Sequence, residues 1–481
     1  MGFNALKTPA TQAQHTETFV TSTSSAAGLT PDVGGSSQTL RHIKLARHED
    51  NDRVDLRQCA LSQNVSSSKV PNGTSSSLEA EILLRFFSYF SRSMKSFAAA
   101  AVAASIVGVA SARQCQNLTV PVVITARNAV FDKEALTPKN NIDVTNIILT
   151  GTQQGHNATA EALKGYADVS GTYHIAATYC EPDSGTPTTI QILTHGIGFD
   201  RSYWDFSYNN YNYSYNARAV DEHGYATFAY DRLGIGQSSI GEPVNEIQVQ
   251  LEIAALKSLT EDIRSGCIEG VPAFHKVLHA GHSFGSVQTY ALTAMYPDIS
   301  DGIVLTGFSQ NGTFLPFFQL GGNFVQANLN SALSKYPDGY LAAGSPSGVQ
   351  TNFFSPGDFD PLLLPVAFKT GQPVTVGELL TIGGAAGAVN QFKGPVLIIT
   401  GERDVPFCGG DCYKPPTGFK SIPETSKAMF PATSKFEVQI VPGAGHGLNL
   451  EYTAPMTYST IATFLAQNGL APSSSMRTRR A

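Results

Sequence analysis

Three places in this chain carry side chains that together could break an acyl bond. They are Ser283 within Gly281-His282-Ser283-Phe284-Gly285, the acids of Gly401-Glu402-Arg403-Asp404, and His446 within Pro442-Gly443-Ala444-Gly445-His446-Gly447. A serine hydroxyl is a poor nucleophile at neutral pH, so it needs an imidazole to take its proton and later return it to the leaving group. The imidazole in turn needs a carboxylate that fixes its tautomer and stabilises the imidazolium. His446 is the candidate base, and Asp404 and Glu402 compete for the third role.

Such chemistry requires elements that hold these residues still. Residues 276–280 read as a strand and 286–296 as a helix, so Ser283 falls at a strand-to-helix turn, where only small residues two before and two after let the elements approach. Gly281 and Gly285 occupy those places. The acids follow a strand-like run at 395–400, and His446 follows another at 436–441. Upstream, 190–193 leads into Thr194-His195-Gly196-Ile197-Gly198, and 226–230 into Asp231-Arg232-Leu233-Gly234-Ile235-Gly236-Gln237-Ser238. Further strands are expected at 118–127, 173–179 and 303–306, and a short helix at 158–166. Between 246 and 265 the spacing of Ile247, Leu251, Ile253, Ala254, Leu256 and Leu259 predicts an amphipathic helix. Strands alternating with helices imply an α/β fold with a mostly parallel central sheet flanked by helices.

The order serine, acid, histidine, with the two upstream glycine-rich loops, resembles the α/β-hydrolase superfamily, in particular secreted serine esterases and lipase-like members that carry a cap. The resemblance implies a core in two parts, 113–308 and 394–470, an inserted cap over 309–393, and a C-terminal tail over 471–481. It implies that Asp404, third after the loop glycine, is the acid rather than Glu402. It further implies an oxyanion hole built from the backbone amides of Ile197 and Phe284, with His195, Gly196, Gly281 and Gly285 as supporting loop residues. Asp231 and Arg232 are expected to brace their loop, and His282 to be buried beside the elbow. The aromatic stretch Tyr203-Trp204-Asp205-Phe206 lies where such proteins build a pocket wall, and rings there serve equally well as core packing. The implied activity is hydrolysis of a carboxylic ester of a small or apolar substrate through an acyl-serine intermediate. Peptide, thioester, lactone and carbon–carbon bond hydrolysis use the same residues, and a non-catalytic ligand-binding member is a further alternative. Serine at the elbow argues against the epoxide hydrolases and haloalkane dehalogenases of this fold, which attack with aspartate. No cofactor and no metal are expected, since no second Cys pair or His stands at zinc spacing near Cys408 and Cys412.

The rest of the 481-residue chain reads as targeting sequence and surface. Residues 1–93 are rich in Ser, Thr, Gln and Asn without a sustained apolar period, the composition of a disordered or wrongly joined upstream segment. Residues 94–112 hold a positive start at Lys95, an apolar run and a small-x-small end at Ala110-Ser111-Ala112, the three parts of a secretory signal read from internal Met94. The run is too short for a stable membrane span. Removal of residues 1–112 leaves 22 basic and 30 acidic residues, a balance that does not invite nucleic acid. Glycosylation sequons at Asn117, Asn157, Asn212 and Asn311 agree with export. Five cysteines would then remain, so at least one unpaired thiol is expected beside a local Cys408–Cys412 disulfide.

Overall fold

The computed structural model describes residues 113–183 and 185–473. The expected upstream segment 1–93, the signal segment 94–112 and the last part of the tail lie outside the described residues.

Two long strands, β1 (Gln114–Val130) and β2 (Gly165–Glu181), pair antiparallel along their whole length. Five short strands follow: β3 (Thr189–Thr194), β4 (Ala226–Tyr230), β5 (Lys276–His282), β6 (Gly302–Thr306) and, in a separate small sheet, β7 (Phe324–Gln326). That small antiparallel sheet is completed by β8 (Tyr340–Ala343) and β9 (Val374–Thr375). The chain then returns to the main sheet as β10 (Val396–Gly401) and β11 (Phe436–Val441). The eight-stranded sheet runs β1-β2-β4-β3-β5-β6-β10-β11, and every pairing from β4 to β11 is parallel. Strands β3, β4, β6 and β10 are buried along their full length, which is why they read as apolar runs rather than as an alternation.

The helices that cover the sheet follow from local signals. Helix α1 (Asn141–Gly151) is capped by the Asn140 side chain, which accepts from Ile142 and Asp143 N–H, and buries Val144 and Ile148. It has no counterpart in the sequence pattern, because only two side chains of its apolar face are buried. Helix α2 (Val249–Ser265) buries Leu251, Leu256, Leu259 and Ile263 and stops at Gly266, whose φ of 69° suits the left-handed cap. Helix α3 (Phe284–Met295) starts at the elbow. The helix expected at 158–166 ends at Ala162, because Gly165 and Tyr166 already pair with Val130 and Ala129 in the β1–β2 ladder. Backbone pairing also carries both strands past the apolar runs at 118–127 and 173–179 into exposed polar residues.

Between β6 and β10 the chain forms α4 (Leu315–Gly321), α5 (Pro346–Phe353), α6 (Leu363–Lys369) and α7 (Val376–Ala385) around the small sheet. A capping box starts α7, with Thr375 Oγ1 accepting from Glu378 N–H while the Glu378 carboxylate accepts from Thr375 N–H. This last helix packs against α2 and α3. Helix α8 (Ala454–Gln467) closes the fold beside β10 and β11. No helix among the described residues is long and apolar enough to cross a membrane.

Disulfides join Cys115 to Cys180, directly opposite one another in the β1–β2 ladder, and Cys408 to Cys412. Among the described residues no cysteine is free. Replacing Cys115 and Cys180 together by Ala should lower unfolding stability by about 2–4 kcal/mol, since the bridge closes a long loop in the unfolded chain. Urea denaturation of the oxidised wild type and the double variant checks this value.

Candidate active site

The site grows from one turn. Ser283 has φ 54° and ψ −116°, a conformation that costs a non-glycine residue about 1–3 kcal/mol and persists only where its surroundings enforce it. Enforcement comes from close packing. A methyl at Gly281 would lie 2.3 Å from the Gly285 carbonyl oxygen, and one at Gly285 only 2.1 Å from the Thr194 carbonyl oxygen. Ser283 N–H donates to the Thr306 carbonyl at 2.9 Å, tying the turn to β6. The hydroxyl is left 2.9 Å from His446 Nε2.

His446 is buried on the loop after β11, and its Nδ1 lies 2.8 Å from Asp404 Oδ2. Asp404 is fully buried as well, and is positioned by Thr400 Oγ1–H donating to Oδ2 (2.6 Å) and Phe407 N–H donating to Oδ1 (2.8 Å). With the carboxylate accepting from Nδ1–H, Nε2 carries the lone pair and accepts from the serine hydroxyl. Glu402 does not reach the ring. Its carboxylate accepts from Gly443 N–H at 3.0 Å, while Arg403 N–H donates to the Ala444 carbonyl at 2.7 Å, so this stretch fastens the acid loop to the histidine loop.

A model of the alpha/beta hydrolase family matches residues 191–456, more than half of the chain. The chain belongs to the alpha/beta hydrolase family. No curated protein matches the sequence. A thermophilic esterase from Thermogutta terrifontis is 15% identical, the match covering 62% of this chain and 94% of that one with a TM-score of 0.41. A monoacylglycerol lipase from Paleococcus ferrophilus is 17% identical over 62% and 99% of the two chains, also with a TM-score of 0.41. Epoxide hydrolase A from Mycobacterium thermoresistibile is 17% identical over 61% and 95%, with a TM-score of 0.39.

In this alpha/beta hydrolase the loop after β3 runs against Ser283, since a methyl at Gly196 would lie 2.9 Å from Ser283 Cβ. Ile197 and Phe284, whose amides the resemblance assigns to the oxyanion, are both buried. His195 orders this loop: its Nδ1–H donates to the Gly196 carbonyl (2.8 Å) and its Nε2 accepts from Arg232 N–H (3.0 Å). Burial, then the Arg232 charge, holds His195 well below the ordinary imidazole range, so it is neutral. Burial likewise keeps His282 neutral, with its ring stacked on Tyr203 at 4.3 Å. Tyr203 and Trp204 are fully buried, so this part of the aromatic stretch packs beneath the site.

Asp231 and Arg232 do not pair with one another. Asp231 takes Arg201 (2.5 Å), while Arg232 is wholly buried between Glu252 of α2 (2.6 Å) and Glu378 of α7, with its guanidinium 4.6 Å from the centre of the Phe284 ring. Burial works against the Arg232 charge, and the two carboxylates more than offset it. No sequence signal points from Glu378 to Arg232.

Glu451 is a further residue the sequence did not reveal. Its buried carboxyl accepts from Gly445 N–H and Ser355 N–H, each at 2.7 Å, and so holds the histidine loop to the chain following α5. Burial raises it to about 8, against the opposing pull of those two amides. Because the folded protein binds this proton more tightly than the unfolded chain does, Glu451 subtracts stability progressively as pH rises from about 4.5 to about 8. Glu451→Gln should flatten the fall in melting temperature across that window, whatever it does to the absolute value. Thermal denaturation at pH 5 and pH 8 reads the difference in slope. Among the described residues, no group of three or more His, Cys, Asp or Glu could hold a metal ion.

Proposed function

We propose that the protein hydrolyses a carboxylic ester by nucleophilic catalysis at Ser283. The observation that carries this reading is the unbroken line of hydrogen bonds from Asp404 through His446 to Ser283, at 2.8 and 2.9 Å, beside a loop whose amides can receive an oxyanion. His446 Nε2 accepts the Ser283 proton as Oγ attacks the carbonyl carbon. Asp404 holds the Nδ1–H tautomer and offsets the imidazolium charge that forms. Negative charge on the carbonyl oxygen is met by Ile197 and Phe284 N–H, a stabilisation typically of about 3–4 kcal/mol for each donor. His446 then gives its proton to the leaving alcohol, and water repeats the steps on the acyl-serine to release the acid. His195 and His282, both neutral and buried, are assigned no proton transfer.

The proposal extends to an exported protein. Exposed sequon residues Asn117, Asn157 and Asn212 and the two disulfides support export, which agrees with the signal expected at 94–112. Its substrate is a small molecule, a reading that the burial of Ser283 and His446 supports.

Hydrolysis of p-nitrophenyl esters of graded acyl length by the oxidised protein tests the reading. Ser283→Ala and His446→Ala should each abolish turnover, and Asp404→Asn should lower kcat by about 10⁴ through the wrong imidazole tautomer. Glu402→Gln should stay near wild type. Full activity in Ser283→Ala, or loss in Glu402→Gln with Asp404→Asn unaffected, contradicts the assignment.

A further inference from the structure

Phe353, the last residue of α5, is in contact with two environments at once. Its ring stacks on His446, with centroids 5.8 Å apart and planes 22° apart. The same ring meets Phe199 edge-on at 4.8 Å and Phe318 at 5.9 Å, and it forms part of a narrow apolar cavity lined by Ile197, Phe324, Leu333 and Val349. Neither Ser283 nor His446 lines that cavity. Ile197, which does, belongs to the loop whose amide would hold the oxyanion. A carbonyl bound there thus has an apolar space next to it, with Phe353 between that space and the histidine.

The ring is fixed rather than resting loosely. Gly447 N–H donates to the Phe353 carbonyl at 2.7 Å, and Ser355 N–H is held through Glu451, which also binds Gly445. Glycines on both sides let the side chain wedge in: a methyl at Gly198 would be 3.3 Å from Phe353 Cζ, and one at Gly447 would be 3.2 Å from its Cβ. Swinging the ring away with the rest of the insertion would break hydrogen bonds of the histidine loop itself. The residue therefore behaves as a fixed wall.

We propose that Phe353 is a specificity-determining residue that closes the apolar cavity to the substrate, so that the site takes esters of short acyl chains and the cavity behind it is an acyl pocket cut off by one ring. This rests on the serine-hydrolase reading given above. Esters with long chains are excluded because the wall occupies the path of the chain beyond its first few carbons. Removing the ring joins the cavity to the site.

The test measures covalent labelling of Ser283 by p-nitrophenyl ethyl-, butyl- and octylphosphonates, following adduct formation by mass spectrometry. In each reaction the serine oxygen bonds to phosphorus, p-nitrophenolate leaves, and His446 takes the serine proton. Wild type should react fastest with the ethyl and slowest with the octyl compound. Phe353→Ala should gain about tenfold or more toward the octyl compound, the effect of burying roughly two further methylenes. Adding Val349→Trp to that variant should refill the cavity and remove the gain, which a general loosening of the site would not predict. Should Phe353→Ala fail to fold, Phe353→Leu is read in its place with a smaller gain. The same chain-length profile in wild type and variant, with Ser283 labelled in both, overturns the wall and leaves the hydrolase reading standing. An unlabelled Ser283 in folded wild type overturns both.

Discussion

The contact between the start of α3 and the end of β3 governs the geometry around Ser283. Gly285 sits so close to the Thr194 carbonyl that no side chain fits, and Gly281 is equally close to Gly285. The turn between them must therefore be sharp, and Ser283 takes up the strain at φ 54°. Hydrogen bonds on the β6 side offset part of that cost: Ser283 N–H donates to the Thr306 carbonyl, and Ser286 Oγ–H is within reach of the Gly281 and Thr306 carbonyls. Because the loop from His195 to Gly198 leaves β3 at that same Thr194, the approach that lifts the serine also brings this loop beside it. Ser283 and the loop that follows β3 are thus set by one packing requirement.

Arg232 extends the constraint outward. A buried guanidinium is tolerable only when paired, and here Glu252 from α2 and Glu378 from α7 supply the counter-charges. Its backbone N–H fixes the His195 tautomer, and its guanidinium lies over Phe284. One residue thereby couples α7, the helix covering the sheet and both sides of Ser283. Loss of either carboxylate would leave charge uncompensated in the interior, a larger penalty than the pair's net contribution to stability.

On the opposite side of the site the segment between β6 and β10 is attached through the histidine loop. Glu451 and the Phe353 carbonyl together engage the N–H groups of Gly445, Ser355 and Gly447, and Tyr452 N–H donates to the Asp358 carbonyl at 2.7 Å. The segment between β6 and β10 and the loops around Ser283 and His446 therefore share hydrogen bonds at two separate places, Glu378 and Glu451. A segment held in this way fills space beside the site and shapes it, which is the physical setting for a wall such as Phe353.

Local constraints explain what could be read without coordinates. The glycines at 281 and 285 follow from backbone sterics, the buried parallel strands from unbroken apolar runs such as Val396–Gly401, and α2 from its helical period and the glycine that ends it. These alone led to the α/β class, the elbow and three side chains suited to acyl transfer. The length of β1 and β2 was not legible, because a ladder of main-chain bonds extends through polar residues that leave no apolar trace. Nor were the partners of Arg232, the role of Glu402 or the placement of Glu451. Each depends on which carboxylate meets which donor across 20 to 146 residues of chain, or on a loop packed beside another. By itself the sequence determined the residue types and the local turns, since those answer to the backbone geometry of neighbouring residues. Only the tertiary structure decided their partners, because burial removes water as an alternative and makes each polar group depend on whatever the fold brings within hydrogen-bonding distance.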